Sequence, residues 1–71
     1  MKIVQVKLTA KGSQGLEVLT TWVENHVDLE VGKFIALKDF KPEQKWLVTE
    51  IYSSVHDASE FDWHRKWDNN I

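Results

Sequence analysis

Cysteine is absent from these 71 residues, so disulfides and thiolate metal sites are excluded, and cysteine usage gives no reading of redox compartment. Proline occurs once and glycine three times, which leaves little chain for long loops. No run of about 18 apolar residues exists, so no membrane-spanning helix is expected. Basic charge is not in surplus either. Nine Lys and Arg stand against eleven Asp and Glu, a net charge of −2, whereas a general phosphate-backbone binder is expected to be basic. The same balance removes a polybasic route to a membrane surface. Shortness is itself an exclusion: a chain of this length has little left to enclose a reaction chamber once a core is built. No enzyme, cofactor or metal is therefore expected.

What is present is a large stock of rings. Four Trp, three Phe and one Tyr make up 11% of the chain. Each buries on the order of 150–250 Å², which offsets the marginal core of so small a domain. The composition, 42% hydrophobic and 28% charged, is that of a folded domain rather than a disordered chain. With its sole Met at position 1, the chain reads as one complete, compact domain over residues 1–71, without repeats or linkers. The opening residues read as strand and contain no signal-peptide core.

Val4, Val6 and Leu8 alternate with Gln5, Lys7 and Thr9, the period-2 signature of a half-buried strand over 2–10. Gly12 and Gly15 mark a turn, and residues 16–24 predict the return strand of an antiparallel hairpin. Alternation in that second strand is imperfect: Leu16, Val18 and Trp22 share one parity, Leu19 and Val23 the other. Either a bulge near Leu19–Thr21 or burial on both faces is implied. A Val31-Gly32 turn leads into Phe34–Asp39, with Ile35 and Leu37 on one face and Phe34 and Ala36 on the other. Pro42 suits the first corner of a β-turn. Residues 45–53 predict a last clear strand, in which Ile51 joins the face of Trp46 and Val48 only if the strand bulges around Thr49–Glu50. Asp57-Ala58-Ser59-Glu60 has the form of a capping box, so residues 57–71 are expected to form a short C-terminal helix or ordered tail. A helix over Phe61–Trp67 would set Trp63 and Trp67 four residues apart; a short fifth strand is the alternative.

Four to five strands with a terminal appendage imply a mostly β domain, a small antiparallel barrel. Two stretches, Val31-Gly32-Lys33-Phe34-Ile35-Ala36-Leu37-Lys38-Asp39 and Trp46-Leu47-Val48-Thr49-Glu50-Ile51-Tyr52, resemble a pattern of SH3-like barrels. The ending His64-Arg65-Lys66-Trp67-Asp68-Asn69-Asn70-Ile71 resembles the tails of small bacteriophage proteins of unassigned activity. The resemblance implies an SH3-like shape and a viral origin, hence a place in the cytoplasm of an infected cell or in a virion. It supplies no site.

Phe61, Trp63, His64, Arg65 and Trp67 are the candidate partner-binding residues, because Trp and Arg are enriched in binding hot spots and cluster here within seven positions. The competing expectation is that these rings plug one end of the barrel. Trp22 and Trp46 read as core, and Tyr52 as a rim residue. An acidic rim of Asp57, Glu60, Asp62 and Asp68 would steer the module toward a protein with a basic surface. The function expected is that of a non-catalytic, protein-binding accessory module. One alternative is a nucleic-acid-binding barrel using Lys33, Lys38, Lys41 and Lys45. It is disfavoured because residues 1–33 and 34–56 each balance their charges and residues 57–71 are acidic. The other is a structural or virion protein that self-associates through an open strand edge or the aromatic tail. His26, His56 and His64 lack compact ligand spacing, and the Glu60/Asp62 pair lacks a cleft to tune it, so both read as surface groups.

Overall fold

The computed structural model describes residues 1–12, 14–60 and 65–68, and residue 53 by its backbone. Two long strands, β1 (Lys2–Gly12) and β2 (Gly15–Glu24), form the expected hairpin. Their register runs unbroken from Ile3↔Glu24 to Gly12↔Gly15, and Gly15 takes the positive φ of 116° that its place beside the turn requires. A loop then leads through Gly32 (φ 93°) into β3 (Phe34–Leu37). Strand β4 (Trp46–Asp57) follows, then a single 3₁₀ turn at Ala58–Glu60, and β5 (Trp67–Asp68). The sheet order is β2-β1-β4-β3-β5, every neighbour antiparallel.

The bulge expected in β4 is present. Lys7 pairs with Glu50 and Leu8 with Val48, so Thr49 is an extra residue, and its hydroxyl donates to the Lys7 carbonyl at 3.0 Å. A second irregularity lies between the pairs Val6↔Ile51 and Val4↔Val55. Such bulges bend a strand and raise its twist. No bulge interrupts β2. Its mixed pattern arises because both faces carry apolar residues.

The sheet is not closed into a barrel, a correction to the expected architecture. The C-terminal segment bridges the opening instead. Arg65 N–H donates to the Trp22 carbonyl and Glu24 N–H to the Arg65 carbonyl, both at 3.1 Å, in one parallel bridge opposite Val23. On the other side Lys38 N–H donates to the Lys66 carbonyl at 3.1 Å, and Leu37 pairs with Trp67. Residues 65–68 are thus extended. The expected helix does not include them, because pairing with β2 and β3 satisfies their backbone groups. Phe61–His64 lie outside the described residues.

The core is built from alternate residues of each strand: Val4, Val6, Leu8 and Ala10 of β1, Val23 of β2, Ile35 and Leu37 of β3, and Trp46 and Val48 of β4. Leu29 and Trp67 complete it, with Leu19, Phe40 and Ile51 packed at its margin. Trp46 is core as expected, and Phe40 stacks on it with centroids 6.1 Å apart. Trp22 is not. Its parity turns it to the opposite face, where it is half-buried and meets the His56 ring edge-on at 5.2 Å.

Candidate functional site

The face of the sheet opposite the core carries a row of side chains in lateral register. Val18 on β2 pairs with Thr9 on β1, Thr9 with Leu47 on β4, and Leu47 with Phe34 on β3. Leu16, opposite Lys11, begins the next row. Side chains at directly opposed positions lie about 5 Å apart, so these residues form one strip across four strands. Leu16, Val18 and Phe34 are exposed by 69%, 56% and 52%. A sheet face meant only for solvent would be polar here.

The strip sinks into an open groove of about 660 Å³, whose floor includes Ala10, Leu16, Phe34 and Leu47 and whose rim carries Lys11, Glu43 and Lys45. One wall comes from the segment between β3 and β4. A turn closed by Gln44 N–H donating to the Lys41 carbonyl at 2.9 Å shapes it, with Pro42 at the expected corner. Lys41 takes a φ of 45° just before that proline, a costly conformation for a side-chain-bearing residue. The hairpin secures this wall. Glu17 accepts a hydrogen bond from Gln44 Nε2 at 2.9 Å and lies 3.5 Å from Lys41 Nζ. The Gln44 bond holds the Glu17 carboxyl below its ordinary range; desolvation opposes it, and the Lys41 charge and hydrogen bond add smaller lowering effects.

The residues expected to bind a partner are placed otherwise. Phe61, Trp63 and His64 lie outside the described residues. Trp67 is 7% exposed, and its indole Nε1 donates to the Glu24 carbonyl at 2.8 Å while its ring meets His26 edge-on. Arg65 is turned inward too: Nε donates to Thr21 Oγ1 at 3.2 Å, Nη1 lies 3.6 Å from Asp39, and the guanidinium sits 4.5 Å over the Phe40 ring. Both residues clamp the C-terminal segment onto the core, so neither offers a docking surface. For Trp67 this is the core role that the competing expectation described; Phe61 and Trp63 lie outside the described residues.

The lysine set does not form one free patch. Lys33 lies 3.7 Å from Glu30, Lys41 is held by Glu17, and Lys38 stands at the far end of β3 from Lys33. Only Lys45 borders the groove. Nor is the acidic rim free. Asp57 lies 3.5 Å from Lys2, and its carboxyl is held below the ordinary range, chiefly by the Ser59 backbone N–H. Glu60 lies 3.2 Å from His56 Nδ1. Asp57 thus accepts at the head of the 3₁₀ turn, but Glu60 turns to His56, so the reciprocal half of the capping box does not form. Asp62 lies outside the described residues. Among the described residues, no three His, Asp or Glu side chains are grouped to hold a metal ion, and no helix is long and apolar enough to cross a membrane.

Sequence reasoning missed Leu16, Val18, Leu47 and Lys11 as surface residues with a common address. The available signal was the double parity of β2, which marks a strand with apolar residues on both faces. Comparison with protein-family models, with curated proteins and with solved structures found no match.

Proposed function

We propose that this protein is a non-catalytic binding module that docks on a larger protein through the groove on the outer face of its sheet. The carrying observation is the registered strip Val18–Thr9–Leu47–Phe34, with Leu16 beside it, of which Thr9, Leu47, Phe34 and Leu16 line that groove. In this reading the fold is an SH3-like variant whose C-terminal segment spans the gap between β2 and β3. The partner presents an apolar side chain to the groove floor, flanked by carboxylate. Lys11 and Lys45 support that chemistry, since neither has an ion pair among the described residues, and they outnumber Glu43 on the rim. An acidic partner replaces the basic one expected from Asp57, Glu60, Asp62 and Asp68, because Asp57 and Glu60 already have internal partners. A role in occupying the surface of a host or phage protein suits the resemblance of the ending to small bacteriophage proteins.

The test is position-specific photo-crosslinking. A photoreactive phenylalanine analogue at Phe34 is expected to give a discrete adduct with a partner, and one at exposed Lys66 none. Phe34→Asp is expected to weaken binding by at least roughly 2 kcal/mol, the scale of a hot spot, with the fold retained. Equal adducts from both positions, or full binding by Phe34→Asp, would refute the reading.

A further inference from the structure

We propose that β2 is also the seat of a two-fold symmetric dimer, in which the edge strands of two copies pair antiparallel and join their sheets. In β2 the backbone groups of even-numbered residues point away from β1. Trp22 and Glu24 establish this, since their outward carbonyl and N–H are taken up by Arg65. Leu16, Val18 and Thr20 share that parity, and among the described residues no backbone group pairs with them on that side. The stretch is continuous in register, with no bulge.

The features that normally block edge-to-edge pairing are missing from it. From Gly15 to Glu24 there is no Lys, Arg or Pro. Its carboxylates do not guard the edge: Glu17 is drawn to Gln44 and Lys41, and Glu24 lies at the far end. The edge is also self-complementary. A two-fold axis at Val18 sets Val18 against Val18 of the second copy and Leu16 against Thr20, giving about six main-chain hydrogen bonds. No like charges meet. The exposed Leu16 and Val18 side chains then lie beside those of the second copy, so the two apolar strips become one. The occupant is therefore a second copy of this chain, and the inference rests on the backbone edge, independently of what fills the groove.

Sedimentation equilibrium of the full chain over roughly 1–500 µM is the test, a range suited to a small interface. Wild type is expected to pass from monomer to twice that mass. Val18→Lys and Thr20→Lys, both at exposed positions, place cations at or beside the axis and are expected to raise the dissociation constant at least about tenfold. Unchanged circular dichroism would show that they fold. Phe34→Asp, three strands away, is expected to dimerise normally while losing its partner, which separates this inference from the groove reading. A wild-type monomer throughout, or dimers unaffected by both lysines, or a Phe34→Asp variant that is monomeric, would overturn it.

Discussion

Replacing Trp67 by Ala separates a core residue from a docking residue. The ring is 7% exposed, belongs to the main cluster and donates its indole N–H to the Glu24 carbonyl. Truncating a buried Trp to Ala costs about 3–5 kcal/mol. A 71-residue domain has a total stability of about 4–10 kcal/mol. Trp67→Ala is therefore expected to lose from about a third of the stability to all of it, and at the lower end of that total to be unfolded in buffer. Trp67→Phe keeps most of the apolar bulk but loses the hydrogen bond, a further cost of about 0.5–1.5 kcal/mol, and should fall between. Urea unfolding followed by far-ultraviolet circular dichroism and by the fluorescence of the other three tryptophans reads both variants. A surface hot spot would behave oppositely, with binding lost and stability kept. A midpoint for Trp67→Ala within about 0.5 kcal/mol of wild type, the range of ordinary surface substitutions, would refute the placement of this ring.

Two other perturbations probe the groove wall and the core. The Trp46 indole Nε1 is buried and has no hydrogen-bond partner among the described residues. Removing an unsatisfied buried donor offsets part of the lost volume, so Trp46→Phe is expected to cost under about 1 kcal/mol and less than Trp67→Phe. A larger cost in urea titration would mean that this N–H is satisfied. The lowered Glu17 carboxyl supplies stability that is fully present above its ordinary value of 4.5 and is lost as pH falls through the lowered value. Glu17→Gln should accordingly show a shallower loss of Tm than wild type as pH falls below 4.5, and parallel profiles would contradict the proposed anchoring of the wall.

Much of the sheet was legible because strand periodicity is a local property. The alternation in β1, the hairpin glycines, the Gly32 turn and the corner at Pro42 each depend on a few adjacent residues. Even the extra residue at Thr49 could be read, since only a bulge lets Ile51 rejoin the parity of Trp46 and Val48. The path of residues 65–68 depends instead on what lies beside them. A local pattern that suits a helix yields when Lys38, Trp22 and Glu24 offer backbone partners and the core has room for an indole. The groove was illegible for the same reason. Phe34 and Val18 are sixteen positions apart, and only the registers through Leu47 and Thr9 bring them into one strip.

The placement of Trp67 also decides where a binding surface can be. The four strands β2-β1-β4-β3 leave an opening between their outer members, and filling it consumes the Trp67 ring, the Arg65 side chain and their polar groups. Trp67 is thus explained by the needs of a small core and calls for no partner. The outward residues of β2, β3 and β4 have no such explanation. Leu16, Val18 and Phe34 contribute nothing to the core cluster, and a polar residue at each position would suit the strand and its solvent equally well. Apolar side chains gain by leaving water, and here no part of the described chain covers them. Brought together by the registers through Thr9 and Leu47, and accompanied by an uncharged backbone edge, they are the apolar surface that association would withdraw from water.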